Sequence, residues 1–443
     1  MLTLPTTRAA AGMKLALPVV HPDKPGSVRL KPGCELDSAA LVRRNELGVR
    51  RIAIEYPPTA FLLRYARADL LNAQSEVAQA VAGEMDKMST GLHTDFDLQV
   101  YVEGVRGLIQ KLVDDPAAAL FMHDIVDARK PLASHAFNVG FLSLLIGLKL
   151  DGYLVANRAR ITHRRAMNTE ALGLGALLHD IGMTRLPAAV VARFEQTRDD
   201  TDPAWRAHVT LGFDLVKGRI PATASAAVLH HHQRLDGSGF PERTRGFGPP
   251  SALRGEEIHT FARIIAVADV FDRLRNPPGN TDDLGNLRTG PVPTVRALRD
   301  TLIQVRAGKL DPVVFKALLA VVPAFAPGTI VTLNDDRRCV VTGWDPTQPC
   351  SPMVSVLPAS LDEAIADPSH IGKLHEESLG QPIDLTERRD LRIMTADGHN
   401  VRSDLFEPQR EFEFDLRVPH PGQIGEAWQS ILESTIAAGG RVG

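Results

Sequence analysis

Residues 171–182 read ALGLGALLHDIG, an apolar run of helix length that ends in a histidine and an aspartate. The apolar run is typical of a buried helix, so it carries His179 and Asp180 into the interior. A buried ionised carboxylate is costly unless it is paired or coordinates a metal ion. This stretch therefore predicts a helical core with a polar cluster at the end of one of its helices.

Four other segments combine an apolar helical pattern with histidine or aspartate in the same way. They are HAFNVGFLSLLIG with His135, PAWRAHVTLGFDLV with His208, TASAAVL followed by His231 and His232, and RIIAVADVFDRL with Asp269. A lone buried histidine is usually an ordinary core residue, but a set of this size is harder to explain by packing. Imidazole nitrogens and carboxylate oxygens together suit Fe, Mn, Zn or Ni. Neighbouring helical residues point about 100° apart, so two of them cannot usually reach the same ion. The adjacent pairs His179-Asp180 and His231-His232 therefore favour a site with two ions, or a position at a helix end.

These residues and their surroundings, LLHDIG, HHHQRLDGSGFP and ARIIAVADVFD, resemble the HD-GYP phosphohydrolases over about residues 117–324. The resemblance implies two divalent metal ions, Fe or Mn, with Zn and Ni as alternatives. It implies that His135, His179 and Asp269 hold one ion, that His208, His231 and His232 hold the other, and that Asp180 bridges them. His179 and Asp180 would be catalytic, and a metal-bridging hydroxide would hydrolyse cyclic di-GMP or a related nucleotide.

Several positions depart from the family pattern. Met183 stands where the family has the lysine of HDIGK, and the arginine of DAxxxxRPY is missing after Asp272. Gln233 replaces a glutamate, Phe240 replaces a tyrosine, and Pro131 replaces a glutamate that some members use for a third metal. Each lost charge-assisted hydrogen bond to phosphate is worth about 1.5–3 kcal/mol. Substrate binding is therefore expected to differ from the family norm.

Other side chains near these motifs could replace the missing cations. The candidates for substrate binding are Arg185, Arg234, Asp236, Gly237 and Gly239, and two further arginines nearby are Arg273 and Arg275. The retained metal ligands favour an enzyme, because unpaired buried Asp and His would destabilise the core. Two alternatives stay open: a receptor or scaffold in nucleotide signalling, and a phosphohydrolase for another phosphorylated substrate.

The predicted fold is mainly α, a helical HD-type catalytic domain at residues 117–325 flanked by small β-rich modules. The modules are residues 1–56 and 326–443, and residues 57–116 form a helical linker. Asn334-Asp335-Asp336 is predicted to join two C-terminal strands. Further short helices are expected near 36–48 and 425–439, and a long loop at 276–294.

Composition limits the partners. With 50 Lys+Arg against 53 Asp+Glu there is no overall attraction to nucleic acid or to anionic membrane. Three distant cysteines favour neither disulfides nor a zinc site, and no apolar run reaches the length of a membrane span. The expected protein is cytoplasmic and binds a cyclic dinucleotide or another phosphorylated small molecule. A second copy of the chain or a signalling protein remains open as a partner.

Overall fold

The computed structural model describes most of the 443-residue chain. The described ranges are 1–6, 9–20, 28–37, 51–65, 68–89, 97–114, 131–158, 161–243, 249–277, 292–359 and 378–408. The expected C-terminal helix lies outside these ranges. The same holds for nearly all of the expected helix near 36–48 and for most of the expected loop at 276–294.

Helices form the middle of the chain. They are α1 (Ala68–Ser89), α2 (Leu98–Asp114), α3 (Pro131–Lys149), α4 (Asp151–Asn157), α5 (His163–Ala166), α6 (Glu170–Leu177), α7 (Ala188–Thr197), α8 (Pro203–Arg206), α9 (His208–Val216), α10 (Ala222–His230), α11 (Thr260–Arg275), α12 (Thr294–Arg306) and α13 (Pro312–Val321). Short 3-10 turns occur at Pro57–Tyr65, Ile181–Arg185, Gly255–Glu257 and Arg402–Asp404. The mainly α prediction is confirmed, and the segment predicted as a helical linker contains α1 and α2.

Helix α3 lies at the centre of the bundle. It packs against α6 and α11 and is buried along most of its length, from Ala133 to Gly147. Among the described helices it is the one long and apolar enough to cross a membrane, but 78% of its apolar window is buried inside the molecule. Such burial is what a core helix shows, because its apolar surface is already covered by the same chain. A cytoplasmic location stays a prediction.

Two groups of strands accompany the helices. The N-terminal strands are β1 (Leu2–Pro5), β2 (Val19–Val20), β3 (Val28–Leu30) and β4 (Arg51–Ile54). The C-terminal strands are β5 (Ile330–Leu333), β6 (Arg338–Gly343), β7 (Met353–Val356), β8 (Pro382–Asp384), β9 (Ile393–Ala396) and β10 (His399–Asn400). β1 pairs with β4 and β2 with β3, and the last six strands form one antiparallel sheet in the order β10-β9-β5-β6-β7-β8. The predicted turn between β5 and β6 is confirmed; in it Asp336 adopts a positive φ of 65°.

The six-stranded sheet has two buried faces. Alternating strand residues such as Val331 and Val341 join the core of the helical bundle. Their neighbours Ile330 and Val340 pack instead with residues of the N-terminal strands, including Leu4. This alternation follows from the two-residue period of a strand. Strands from the two ends of the chain thus share a core, and the division into separate terminal modules at 1–56 and 326–443 stays a prediction.

Candidate metal centre

The His179-Asp180 pair lies where α6 ends and a tight 3-10 turn, Ile181–Arg185, begins. Gly182 allows this turn to touch α9, because a Cβ atom there would lie 2.0 Å from the His208 carbonyl oxygen. It would also lie 2.5 Å from the Gly212 nitrogen. No side chain fits such a gap. The glycine of the HDIG motif therefore brings the helix that carries His208 up to Asp180.

Three of the histidines are oriented in one way. The Nδ1 of each donates to the carbonyl oxygen three residues earlier: His179 to Ala176 (2.8 Å), His208 to Trp205 (2.7 Å) and His231 to Val228 (2.7 Å). A carbonyl can only accept, so the proton is fixed on Nδ1 and the Nε2 lone pair is left for another partner. This is the support that metal-binding histidines commonly receive.

Asp180 lies at the centre of what we call the open set: Asp180, His208, His231 and His232. Their candidate ligand atoms all lie within 4.8 Å of one another. Asp180 Oδ1 is 3.3 Å from His208 Nε2 and 3.5 Å from His231 Nε2. All four residues are buried, and Asp180 Oδ1 and the Nε2 atoms of the three histidines find no hydrogen-bond partner among the described residues.

His135, His179 and Asp269 form a second group within the same 4.8 Å limit, which we call the closed set. The His135 Nε2 atom lies 3.0 Å from Asp269 Oδ1 and 3.3 Å from His179 Nε2. The remaining nitrogen of His135, Nδ1, is 2.6 Å from Asp272 Oδ2, and Asn138 donates to the other oxygen of Asp272 (3.0 Å). Unlike the open set, this group is largely hydrogen-bonded within the chain.

The donor chemistry of the centre fits divalent metal ions. Buried polar atoms without partners are rare and call for an explanation, and four of them converge here. Imidazole nitrogens with carboxylate oxygens are the ligands that Fe, Mn, Zn and Ni accept. The structure thus brings together all seven residues predicted as ligands, in the two groups that the sequence resemblance implied. Their role as ligands stays a proposal.

The pKa values of His179, His208 and Asp180 keep these ligands in the forms that metals need, whereas that of His135 favours the protonated ring. Burial lowers the pKa of His179 to about 3 and that of His208 to about 4, so both rings are neutral near pH 7. Burial opposes ionisation of Asp180, but His179 and Arg273 outweigh it and hold the pKa of this carboxyl well below its usual value. For His135, burial and Arg273 favour the neutral form, yet hydrogen bonds to Asp269 and Asp272 raise its pKa to about 9.

An aromatic wall borders the open set. The Trp205 ring centre lies 4.6 Å from that of His208, and the Phe240 ring stacks on His232 at 4.7 Å. Met183 is buried in the same apolar cluster together with Phe194. The residue that replaces the family lysine therefore packs against this wall, and its change to Met supplies apolar contact where a cation was expected.

The predicted substrate-binding residues differ in how far they are exposed to solvent. Asp236 is exposed, and its carboxylate accepts from the Ser238 nitrogen (2.9 Å) in the turn where Gly237 has a φ of +83°. Gly239 lets this turn pack closely, since a Cβ there would lie 2.4 Å from the His232 carbonyl oxygen. Arg185 is half-buried at the end of the 3-10 turn. Their contacts with a substrate stay predictions.

Arg234 adjoins the centre. Its guanidinium is influenced by the charges of Asp269, Asp236 and Arg273, and burial lowers its pKa. One of its nitrogens, Nη1, is buried without a hydrogen-bond partner. Of the predicted substrate-binding side chains, this one has the clearest unused donor.

Sequence reasoning missed the roles of Asp272 and Asn138, and it named Arg273 as a nearby cation without its contacts to two candidate ligands. Asp272 and Asn138 support His135, and Arg273 Nε and Nη2 donate to Asp269 Oδ1 (2.6 Å) and Asp180 Oδ2 (2.8 Å). Asp272 and Arg273 lie three and four residues after Asp269, so helical spacing could have placed them on the same face. Asn138 likewise lies three residues after His135 on α3.

Gln233 has a role that its charge does not suggest. It is buried, its Nε2 donates to the Pro241 carbonyl (2.8 Å), and its Oε1 accepts from the Leu253 nitrogen (2.9 Å). An ionised glutamate could make only the second of these bonds. The amide therefore links the residues after the double histidine, up to Pro241, to Leu253, which lies shortly before α11.

Comparison with known proteins supports this interpretation of the site. The HD domain family model matches residues 121–284. The chain is similar to the cyclic di-GMP phosphodiesterase response regulator RpfG of Xanthomonas campestris pv. campestris, 34% identical over 137 residues, 28% of this chain and 34% of that protein. It is similar to the 3'3'-cGAMP-specific phosphodiesterase 3 of Vibrio cholerae, 32% identical over 152 residues, 34% of this chain and 28% of that protein.

A similar solved structure is Bd1817, an HDG"Y"P protein from Bdellovibrio bacteriovorus. It is 18% identical, with a TM-score of 0.42, and the alignment covers 72% of this chain and 97% of that one. The chain spans about a third of the length of the curated relatives described above. The HD domain match covers the segment that contains all seven clustered residues, and the chain therefore contains an HD domain.

Proposed function

We propose that the chain is a metal-dependent phosphodiesterase that hydrolyses cyclic di-GMP or a related cyclic dinucleotide. The observation that carries this proposal is the convergence of four buried, unpartnered ligand atoms on the open set. A folded chain tolerates such atoms poorly unless a ligand satisfies them. The names of the relatives, which act on cyclic di-GMP and on 3'3'-cGAMP, support this substrate class.

Divalent ions bound here would acidify a water molecule and neutralise charge on a phosphodiester. The chain's own part is to hold the ligands ready. Asp180 presents Oδ1 to the open set and lies with its other oxygen 3.7 Å from His135 Nε2, so this carboxylate can reach both groups. Carbonyl contacts fix the histidine rings, which reduces the reorganisation needed on binding. Asp180 and His179 are our candidates for the catalytic residues.

Two arginines are suited to meet substrate phosphate in place of the family lysine. Arg234 has an unused buried donor, and the charge of Asp269 acts on its guanidinium. The guanidinium of Arg206 lies 4.5 Å above the Phe240 ring, on the aromatic wall that covers His232. Guanidinium groups bind phosphate through two parallel hydrogen bonds, whereas an ammonium acts as a point charge. The aromatic wall could stack against a base of the substrate.

The experiment is hydrolysis by the purified chain, stripped with a chelator and reloaded with Mn²⁺, or with Fe²⁺ under anaerobic conditions. Cyclic di-GMP and 3'3'-cGAMP are supplied separately, and the linear dinucleotide and mononucleotide products are separated by chromatography. Asp180→Asn is the inactive control, and Asp214→Asn, a change at an exposed aspartate of α9, controls for the loss of a carboxylate elsewhere.

We expect the chain and Asp214→Asn to form product and Asp180→Asn to be at least about a thousandfold slower, equivalent to about 4 kcal/mol of barrier. Product that Asp180→Asn forms equally fast would contradict the proposal. Binding of a cyclic dinucleotide without turnover would instead support the receptor or scaffold alternative. Turnover of a different phosphorylated compound, but of neither cyclic dinucleotide, would support a phosphohydrolase for another substrate.

A further inference from the structure

The two groups of candidate ligands differ in how their atoms are occupied. In the open set, Asp180 Oδ1 and the Nε2 atoms of the three histidines have no hydrogen-bond partner in the part of the chain that the structure describes. In the closed set, Asp269 Oδ1 is already within hydrogen-bond distance of His135 Nε2 and of Arg273 Nε. A divalent ion would thus find free ligand atoms in one group and occupied ones in the other.

Arg273 contributes to this difference, together with the contacts of His135. It lies one helical turn after Asp269 on α11, and its side chain is 21% exposed. Nε donates to Asp269 Oδ1 (2.6 Å) and Nη2 donates to Asp180 Oδ2 (2.8 Å). The guanidinium therefore joins the carboxylate of the closed set to the oxygen of Asp180 that faces away from the open set.

This contact sets up a competition between cations. An ion entering the closed set would share the Asp269 carboxylate with Arg273, which holds Oδ1, and it would lie a few ångströms from a permanent positive charge. At that range the repulsion between the two cations is substantial in a partly buried site. The open set uses Asp180 Oδ1, which Arg273 does not contact. Burial opposes the charge of Arg273, but Asp269 and Asp180 outweigh it and raise its pKa, so the guanidinium stays charged at any working pH.

We propose that Arg273 is a built-in competitor for the second metal ion, so that the chain binds one divalent ion tightly in the open set and a second one more weakly in the closed set. The proposal rests on the proposed metal centre and adds the order of filling. Occupancy of the closed set would then depend on metal supply, and Arg273 would be released from Asp269 only when the second ion arrives. A released guanidinium would lie beside the centre, where a substrate phosphate could accept from it.

The test is Mn²⁺ titration of the chelator-stripped chain, followed by calorimetry and by equilibrium dialysis with elemental analysis. We compare the unmodified chain with Arg273→Met, which keeps an unbranched side chain and removes the charge. Arg275→Ala is the matched control, because Arg275 lies on the same helix and its side chain bonds to the Val292 carbonyl instead. Circular dichroism and thermal unfolding confirm that each variant is folded.

In the unmodified chain and in Arg275→Ala we expect two steps, the second at least about tenfold weaker, equivalent to about 1.4 kcal/mol. In Arg273→Met the second step should tighten by about tenfold or more, and by more than the first. If Arg273→Met does not fold, Arg273→Lys carries the test. A lysine has a single charged centre and cannot reproduce the two-pronged contact, so the second step should still tighten, though less.

Two equal steps in the unmodified chain would overturn the proposal and leave the metal-dependent function standing. The same holds if the second step is unchanged in both folded Arg273 variants. Binding of no ion by any of the proteins would overturn the metal centre itself, and with it both proposals. The readout is metal binding alone, so it does not depend on having found the right substrate.

Discussion

Helix α11 carries two buried polar clusters less than two turns apart, one around Arg263 and one around Asp269. Arg263 donates to the Tyr153 hydroxyl (2.7 Å), to Asp311 Oδ2 (3.2 Å) and to Asn157 Oδ1 (2.8 Å). Asp311 in turn caps α13 by accepting from the Val313 nitrogen (2.9 Å). Apart from the Arg263 Nε atom, this cluster satisfies its own buried side-chain polar atoms.

The cluster that contains Asp269 differs in one respect. Several of its polar atoms are also paired, yet Asp180 Oδ1 and three imidazole nitrogens are left without partners. Burial of charge is common to both clusters, so burial alone does not identify a binding site. Unsatisfied ligand atoms of matching chemistry do, because the chain gains nothing from leaving them unpaired. We interpret the Arg263 cluster as structural and the Asp269 cluster as functional.

The largest loss of folding stability that would test the difference between the two clusters is expected for Asp311→Ala. The change leaves the Arg263 guanidinium buried without its carboxylate and removes the cap of α13. Loss of one partner of a buried ion pair costs about 3–5 kcal/mol. Denaturant unfolding followed by circular dichroism should show this loss, while the folded fraction binds Mn²⁺ as before. A loss below about 1 kcal/mol would show that the Arg263 cluster does not stabilise the fold.

A somewhat smaller effect is expected for Gly182→Ala, which tests the packing that builds the functional cluster. The added Cβ would overlap the carbonyl oxygen of His208, so α9 must move away from the turn after Asp180. Forcing extra volume into a packed core costs about 1–3 kcal/mol. We expect this loss together with weaker Mn²⁺ binding in calorimetry, since His208 moves with its helix.

Gly107→Ala on α2 is the control for the glycine change, because nothing lies within 4 Å of a Cβ atom there. Replacing a helical glycine by alanine is worth about 0.5–1 kcal/mol in favour of the fold. Equal effects of the two alanine changes on metal binding would contradict the role assigned to Gly182.

Much of the candidate centre could be predicted from sequence, because its residues lie in short motifs. The HD pair, the double histidine and the aspartate of α11 each occupy a recognisable local pattern, and all seven predicted ligands converge in the structure. The predicted turn between β5 and β6 was equally local.

The contacts of Arg273 with Asp180 and of Gln233 with Leu253 could not be predicted in this way. Arg273 meets Asp180 across 93 positions of sequence, and Gln233 bonds to Leu253 across 20. Such pairings depend on how separate helices and loops pack, and no local period records them. At Gln233 the sequence showed a lost negative charge, whereas the structure shows an amide used as both donor and acceptor.

The smallest effect concerns His259, which caps α11 by accepting from the Phe261 nitrogen (3.1 Å). Burial, helped by Arg158 and Arg263, lowers its pKa from 6.5 to about 4. Because the folded state disfavours the proton, the stability from neutral His259 is full above about pH 6.5 and is lost as the pH falls towards 4. The ring is partly exposed, so we expect about 1–2 kcal/mol from this residue.

The measurement is urea unfolding at pH 7.5 and pH 5 for the unmodified chain and for His259→Asn, which keeps a side chain able to cap the helix. The variant should lose less stability between the two pH values. An identical loss in both proteins would show that His259 does not contribute to the acid sensitivity. Some loss is expected in the variant too, because other buried histidines, such as His208, also have lowered pKa values.

The most direct test of the central claim is metal content after equilibrium dialysis against Mn²⁺, compared between His231→Gln and His230→Gln. The two histidines are adjacent, but only His231 belongs to the open set; His230 lies outside both groups. We predict at least one ion per chain for the unmodified protein and for His230→Gln, and a loss of affinity of about tenfold or more for His231→Gln. Equal affinities in the two variants, or no bound ion in the unmodified chain, would contradict the account.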